Sequence, residues 1–295
     1  MNQASQWRIE LAREIASWYA AHTQVRMIAL GGSAARGQAD AYSDLDMAVY
    51  WDELDGVWLE QPPLRTAGGE RFTFRKLFDN QVAVEQYQIG EAKVDVAHFS
   101  LVWWEQSVAD VLERADMAAE KQEVLDGFLS AIPFHGAPLY EQWRSRIAAY
   151  PDQLARRMVQ QHLAFYPSWV LGQHGLARGD LLSFYDMLCE MIKHLLAVLA
   201  GLNHVYLSTE KPKRSADLLR RMPIAPRDAA TRVQAILTIE RQQAVAALAD
   251  LIDEVIDLVE QHMPEIDTTR ARTIQRMPAR PCLEKPPFPL KEVSE

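Results

Sequence analysis

The apolar positions of this chain change period about a third of the way along it. Residues 5–22 carry Trp7, Ile9, Leu11, Ile15, Trp18 and Tyr19 at approximately helical spacing, which predicts an amphipathic helix. Val25 to Leu30 is a short apolar run that ends at a double glycine and reads as a strand. From Leu45 to Trp51 the pattern alternates, with Asp44, Asp46 and Ala48 on one face and Leu45, Met47 and Val49 on the other. The polar stretch Gln61–Glu70, with its prolines and glycines, reads as a connection. Three further strands are predicted over 72–78, 82–89 and 93–99, the last two joined by the turn Gly90-Glu91-Ala92.

Beyond about residue 101 the period becomes helical and stays so, through 102–131, 138–149, 152–175, 180–203 and 227–262. The segment from Ile132 to Pro138, with Gly136 inside it, is the expected boundary between the two regimes. After His262, the prolines at 264, 278, 281, 286, 287 and 289 exclude a long helix and predict an extended tail. The expectation is an α+β protein. Residues 1–133 form a domain built on a small mixed sheet flanked by helices, 134–264 an all-helical bundle, and 265–295 the tail. The active site is expected in the cleft between the two domains.

Composition narrows the class without naming it. A chain of 295 residues, 48% hydrophobic and 24% charged, can bury a substantial core and has the profile of a soluble globular protein. No apolar run is long enough to span a bilayer; the richest is His194–Ala200. The N-terminus lacks the basic and apolar regions of a signal peptide. Cys189 and Cys282 lie far apart and form no metal or redox pattern, so a reducing cytoplasm is the expected location. A formal net charge of −9 disfavours a broad nucleic-acid surface and suits a small or cationic partner better than a polyanion.

The chemistry concentrates between residues 30 and 95. Gly31 and Gly32 let the backbone approach phosphate oxygens without a Cβ in the way, and Ser33 adds a hydroxyl donor at the start of a short predicted helix. Asp44 and Asp46, two apart on a strand, project to the same side and can jointly hold Mg²⁺ through hard oxygens. A third carboxylate on a neighbouring strand would complete a clamp for two ions roughly 3.5–4 Å apart. Asp95, inside the apolar run Val94-Asp95-Val96, is the favoured candidate; Glu85, otherwise read as a solvent-facing strand residue, is its competitor. Gripping a triphosphate, neutralising its charge and aligning a hydroxyl against it are the requirements of nucleotidyl transfer.

Gly-Gly-Ser, a spacer of about ten residues, Asp-x-Asp and a later strand aspartate together resemble the polymerase-β-like nucleotidyltransferase superfamily. The likeness is strongest to its small bacterial members, the aminoglycoside and lincosamide nucleotidyltransferases. It covers residues 25–99. It implies that Gly32 and Ser33 contact the nucleotide phosphates and that Asp44, Asp46 and Asp95 bind two Mg²⁺, with Asp95 as, or beside, the base. A weaker likeness, Gly201 to Leu207 followed by Lys211, implies a lysine directed at the triphosphate. The resemblance thus implies transfer of AMP from ATP to a hydroxyl of a small polar acceptor, with antibiotic resistance as one setting. Nucleotidylation of a protein or RNA, as in toxin–antitoxin enzymes, and a non-catalytic nucleotide-binding module are the alternatives. Oligomeric state and acceptor identity stay open.

Several other residues have bland readings beside functional ones. Arg36 could meet a phosphate or pair with Asp40, and His98 is expected to pack or bond locally. Trp103, Trp104, Trp143, Phe165, Tyr166 and Trp169 are expected in the core rather than as a stacking platform. Asp186, Glu190, Lys193 and His194 share a helical face that could bind a cationic acceptor or simply be a salt-bridged surface, and Glu105 could also line a cleft.

Overall fold

The computed structural model describes residues 1–54, 62–66, 68–208 and 214–277. The chain divides into two compact units: residues 1–158 with 203–208, and residues 159–202 with the described residues from 214 onward. The fold class is α+β, with a mixed sheet flanked by helices in the N-terminal part and helices alone after it.

The first unit is built on six strands: β1 (Val25–Leu30), β2 (Leu45–Trp51), β3 (Glu70–Leu77), β4 (Val82–Ile89), β5 (Ala92–Ser100) and β6 (Ile132–His135). Their order across the sheet is β3-β4-β5-β2-β1-β6. Only β2 and β5 run parallel; the other neighbouring pairs are antiparallel. Helix α1 (Gln3–Ala20) lays Ala12, Ile15 and Tyr19 into a core with Ile28, Leu30, Leu45, Met47, Val49, Val94 and Val96. These are the apolar positions that the period-two reading places on one face of each strand. Asn2 caps α1, its side chain accepting from the Ser5 amide.

Among the described residues, helices cover the Tyr50 end of the opposite face of β2. Tyr50 shares that face with Asp46 and is buried against Trp104, Phe128 and Trp143, with ring centroids 5.0, 6.2 and 5.6 Å away. Those rings come from α4 (Leu101–Arg114), α5 (Ala119–Leu129) and α6 (Ala137–Ala148). Large buried side chains of this kind each contribute about 1.5–3 kcal/mol through area removed from water. The helices therefore close the Tyr50 end of the face, and the Asp46 end carries half-buried polar side chains.

Two short helices also belong to this unit, α2 (Gly32–Ala35) and α3 (Pro63–Thr66). Helix α7 (Asp152–His162) runs from the first unit into the second. In the second unit, α8 (Ser168–Gly172) continues into a π-helical turn, Gln173–Ala177, followed by α9 (Leu181–Leu202), α10 (Ser215–Arg220), α11 (Ala229–Ile236), α12 (Arg241–His262) and α13 (Thr269–Gln275). Helix α12 buries Leu248, Leu251, Ile252, Val255, Ile256 and Val259, a stripe at spacings of three and four. The end of α9 is buried on every side from Leu195 to Leu202. Among the described residues no helix is long and apolar enough to cross a membrane.

The structure differs from the sequence reading at element ends. The predicted 102–131 helix breaks at Ala115, which takes a left-handed φ of 53°. The 152–175 segment stops at His162 and restarts after Pro167, and 227–262 divides before Glu240, whose carboxylate caps the amides of Gln242 and Gln243. Ile132–His135, read as a boundary, is an edge strand paired with β1. Its proline is compatible with that edge position, because no strand beyond it needs the missing N–H. Within the predicted tail, α13 is held by Arg272, which bonds Asp257 and Glu260 of α12. The rest of that prediction, from residue 278, lies outside the described residues.

Candidate active site

Strand register brings the carboxylates together. In the parallel β2/β5 pair Asp46 stands opposite Asp95, and Asp44 lies one residue before β2. Neighbouring strands are about 4.8 Å apart, so side chains at matched positions on one face converge. One carboxylate oxygen from each of Asp44, Asp46 and Asp95 lies within 4.8 Å of the other two. All three residues are half-buried. Two like charges about 4 Å apart repel by about 4 kcal/mol near a protein surface, and less where solvent reaches them. Three hard oxygen donors at this spacing fit a divalent cation such as Mg²⁺.

Two neighbours stabilise that charge. Lys93, two residues before Asp95 on the same face, places Nζ 3.1 Å from Asp44 Oδ2 and 2.9 Å from Asp95 Oδ2. Burial favours its neutral amine, but hydrogen bonds and charge from Asp95 and Asp44 outweigh that and raise its pKa above the ordinary lysine value. Gln86 stands opposite Asp95 in the β4/β5 pair and points Nε2 at both its oxygens, 3.3 and 3.1 Å away. Thr73 of β3 donates to the Gln86 carbonyl oxygen, which fixes the amide's orientation. Neither Lys93 nor Gln86 stands out in the sequence. Lys93 is reachable by strand alternation from Asp95, whereas Gln86 requires the register.

The glycine turn has a steric role at these carboxylates. Gly32 has φ +65°, and a Cβ there would lie 1.8 Å from Asp46 Oδ2. The bare backbone of Gly32 thus makes room for the Asp46 carboxylate in a conformation that other residues rarely adopt. Gly31 donates its amide to the Asp46 carbonyl at 2.8 Å, which ties the turn to β2. Ser33 is largely buried, and its carbonyl accepts from Gln38. The helix expected after the turn is the single turn α2. The spacer that follows is organised by Asp40, which accepts from the Tyr42 amide and the Ser43 hydroxyl. Arg8 of α1 reaches the Ser43 carbonyl, immediately before Asp44.

The remaining candidates are elsewhere. Glu85, the competitor for the third carboxylate, is on the core face and fully buried, because it is one residue out of phase with Gln86. The reading of Glu85 as a solvent-facing residue is therefore corrected. It bonds Arg71 and Tyr87 at 3.0 and 2.7 Å and lies 3.7 Å from His98 Nε2. Trp51 donates to His98 Nδ1, which leaves the proton on Nε2 toward Glu85. Burial pushes the Glu85 pKa up, but His98, Tyr87 and Arg71 prevail and lower it; burial lowers that of His98 against the pull of Glu85. His98 thus bonds locally. Arg36 donates to Ser130 Oγ at 3.5 Å. Trp104 and Trp143 are core residues, and Trp103 stacks on Phe99. In the second unit, Glu190 is engaged by Tyr166 and His194, Asp186 is exposed, and Glu105 of the first unit is also exposed. Lys211 lies outside the described residues.

Comparison with known proteins places few constraints on this site. A family model described as a domain of unknown function (DUF4037) matches residues 118–211, which excludes all three aspartates. No curated protein matches the chain. Among solved structures, the chain is similar to a nucleotidyltransferase-like protein from Exiguobacterium sibiricum 255-15. The identity is 14% and the TM-score 0.38, over 88% of this chain and 81% of the other.

Proposed function

We propose that the protein is a Mg²⁺-dependent nucleotidyltransferase that moves AMP from ATP onto a hydroxyl of a small polar acceptor of the aminoglycoside type, releasing pyrophosphate. The observation that carries this reading is the convergence of Asp44, Asp46 and Asp95 beside a glycine turn shaped around Asp46. Three carboxylates gathered on one sheet face repel one another, and a divalent cation bound among them would relieve that repulsion.

In this reading Asp44, Asp46 and Asp95 would hold two Mg²⁺, and Lys93 places an ammonium on two of these carboxylates, Asp44 and Asp95. Bound Mg²⁺ would neutralise the triphosphate and polarise the phosphorus that is attacked. The acceptor oxygen forms a bond to the α-phosphorus while the bond from that phosphorus to the bridging oxygen of the β-phosphate breaks. Pyrophosphate leaves with the electron pair, and the acceptor's proton passes to Asp95. Gln86 steers that carboxylate by bonding both oxygens, and Thr73 steers Gln86. Gly32 and Ser33 lie against the phosphates, and Lys211 neutralises the leaving pyrophosphate. A net charge of −9 favours a cationic acceptor over a nucleic acid.

ATP labelled at the α-phosphate, incubated with Mg²⁺ and a panel of aminoglycosides, tests the reading. Label should move to an acceptor with stoichiometric release of pyrophosphate. Asp46→Asn should lower that transfer by at least about a thousandfold, or about 4 kcal/mol of barrier, with an unchanged circular dichroism spectrum. Full activity in Asp46→Asn would sink the assignment.

A further inference from the structure

The Lys93 ammonium occupies the space between Asp44 and Asp95, bonding one oxygen of each at 3.1 and 2.9 Å. These are two of the three carboxylates whose oxygens gather within 4.8 Å of one another. An ammonium lodged between two of these carboxylates repels a divalent cation drawn to the same oxygens and competes with it for their charge. Lys93 is also tethered for the purpose: it projects from the same strand face as Asp95, two residues away, and its side chain is 39% exposed, so it has solvent to withdraw into. A lysine holds such a place as a compact point charge on a flexible stem, without the fixed fork that an arginine would impose.

We propose that Lys93 is the built-in counter-cation of these carboxylates, which gives up its place when a divalent ion binds. The inference rests on the reading of Asp44, Asp46 and Asp95 as metal ligands. Without metal, Lys93 holds the carboxylates in register against their mutual repulsion. Its displacement sets the metal concentration at which the site fills, and a metal-bound nucleotide then meets a site already assembled. Lys93 is a positioning residue in this scheme. It works through Asp44 and Asp95.

Mn²⁺ binding, followed by the loss of its free electron-spin signal, separates this role from a general one in folding. Lys93→Met should bind Mn²⁺ about tenfold more tightly than the native chain, the equivalent of about 1.4 kcal/mol. Its unfolding temperature in EDTA should fall, and the rise on adding Mn²⁺ should exceed that of the native protein. Lys93→Arg keeps the charge and should stay close to native affinity, which also covers failure of the methionine variant to fold. Equal or weaker Mn²⁺ binding by Lys93→Met would overturn the inference while leaving the metal reading intact. The same result for Lys93→Arg as for Lys93→Met, both tighter than native, would show that the charge is not the competitor. If the native chain and Asp46→Asn bind Mn²⁺ alike, the metal-site reading itself fails, and this inference with it.

Discussion

The two faces of the same sheet carry similar residue types and treat them in opposite ways. On the core face, Glu85 is fully buried and has a partner for each oxygen: Arg71 on one, Tyr87 and the nearby His98 on the other. On the opposite face, oxygens of Asp44, Asp46 and Asp95 gather, the Lys93 ammonium bonds Asp44 and Asp95, and all three residues stay half-buried. A buried charge is tolerated only when its hydrogen bonds and countercharge are complete. An excess of like charge survives where solvent, or a cation from solvent, can make up the balance. The difference separates a carboxylate that the core encloses from carboxylates that solvent can reach, and burial distinguishes them better than residue type.

That contrast can be broken from either side. The largest stability effect should come from Glu85→Ala, which leaves Arg71 and His98 facing an emptied polar site. It should cost about 3–5 kcal/mol in denaturant unfolding. If the faces are independent, the variant that still folds should bind Mn²⁺ as the native chain does. Gly32→Ala acts on the other face, and its effect on folding should be smaller, about 1–2 kcal/mol, through the left-handed φ. Its effect on the site should be severe, because the new Cβ takes the place of the Asp46 carboxylate. Loss of Mn²⁺ binding in a folded Gly32→Ala would place the glycine in the site. Retained binding would reduce it to a turn residue.

The smallest effect is a pH dependence that belongs to the core face. His98 has a folded pKa below its ordinary value, so below about pH 6.5 the unfolded chain takes up a proton that the folded one refuses, and stability falls as pH falls. Glu85 has a lowered pKa as well. Its contribution is present above about pH 4.3 and is lost as pH drops through the folded value. His162, pushed down to about 4 by burial and then by His194, adds an acid-side loss in the second unit. Thermal unfolding should therefore be flat between about pH 7 and 9 and fall steadily on acidification. His98→Gln should flatten the upper part of that fall, and His162→Asn the portion between about pH 6.5 and 4. A profile unchanged by both would refute the assignment of neutral buried imidazoles.

Much of the first unit was legible because its strands alternate cleanly. Val25–Leu30, Leu45–Trp51 and Val82–Ile89 follow from apolar period and turn residues alone. The helical runs were legible as helix, but their breaks were not, since Ala115 in a left-handed conformation and the Glu240 cap are local solutions that no apolar period encodes. Strand β6 escaped because four residues containing a proline give too little pattern, and their pairing with β1 is a long-range choice. Glu85 was misplaced for a related reason. Alternation says that Glu85 and Gln86 face opposite ways, but only the pairing of β4 with β5 says which of them meets Asp95.

By itself the sequence determined the residue types of the candidate site and their order: a double glycine and serine, two aspartates two apart at the start of a strand, and a later aspartate on another strand. Residue type and strand period are local properties, and they are enough to put Asp44 and Asp46 on one side. Tertiary structure decided everything that depends on which strand lies beside which. The parallel β2/β5 register set Asp95 against Asp46, the antiparallel β4/β5 register brought Gln86 to Asp95 and sent Glu85 to the core, and the turn placed the bare Gly32 against the Asp46 carboxylate. Lys93 became the countercharge of the site only once Asp44 was folded next to its own strand. Register is fixed by burying one whole face at once, a cooperative choice made by the core and written in no single segment.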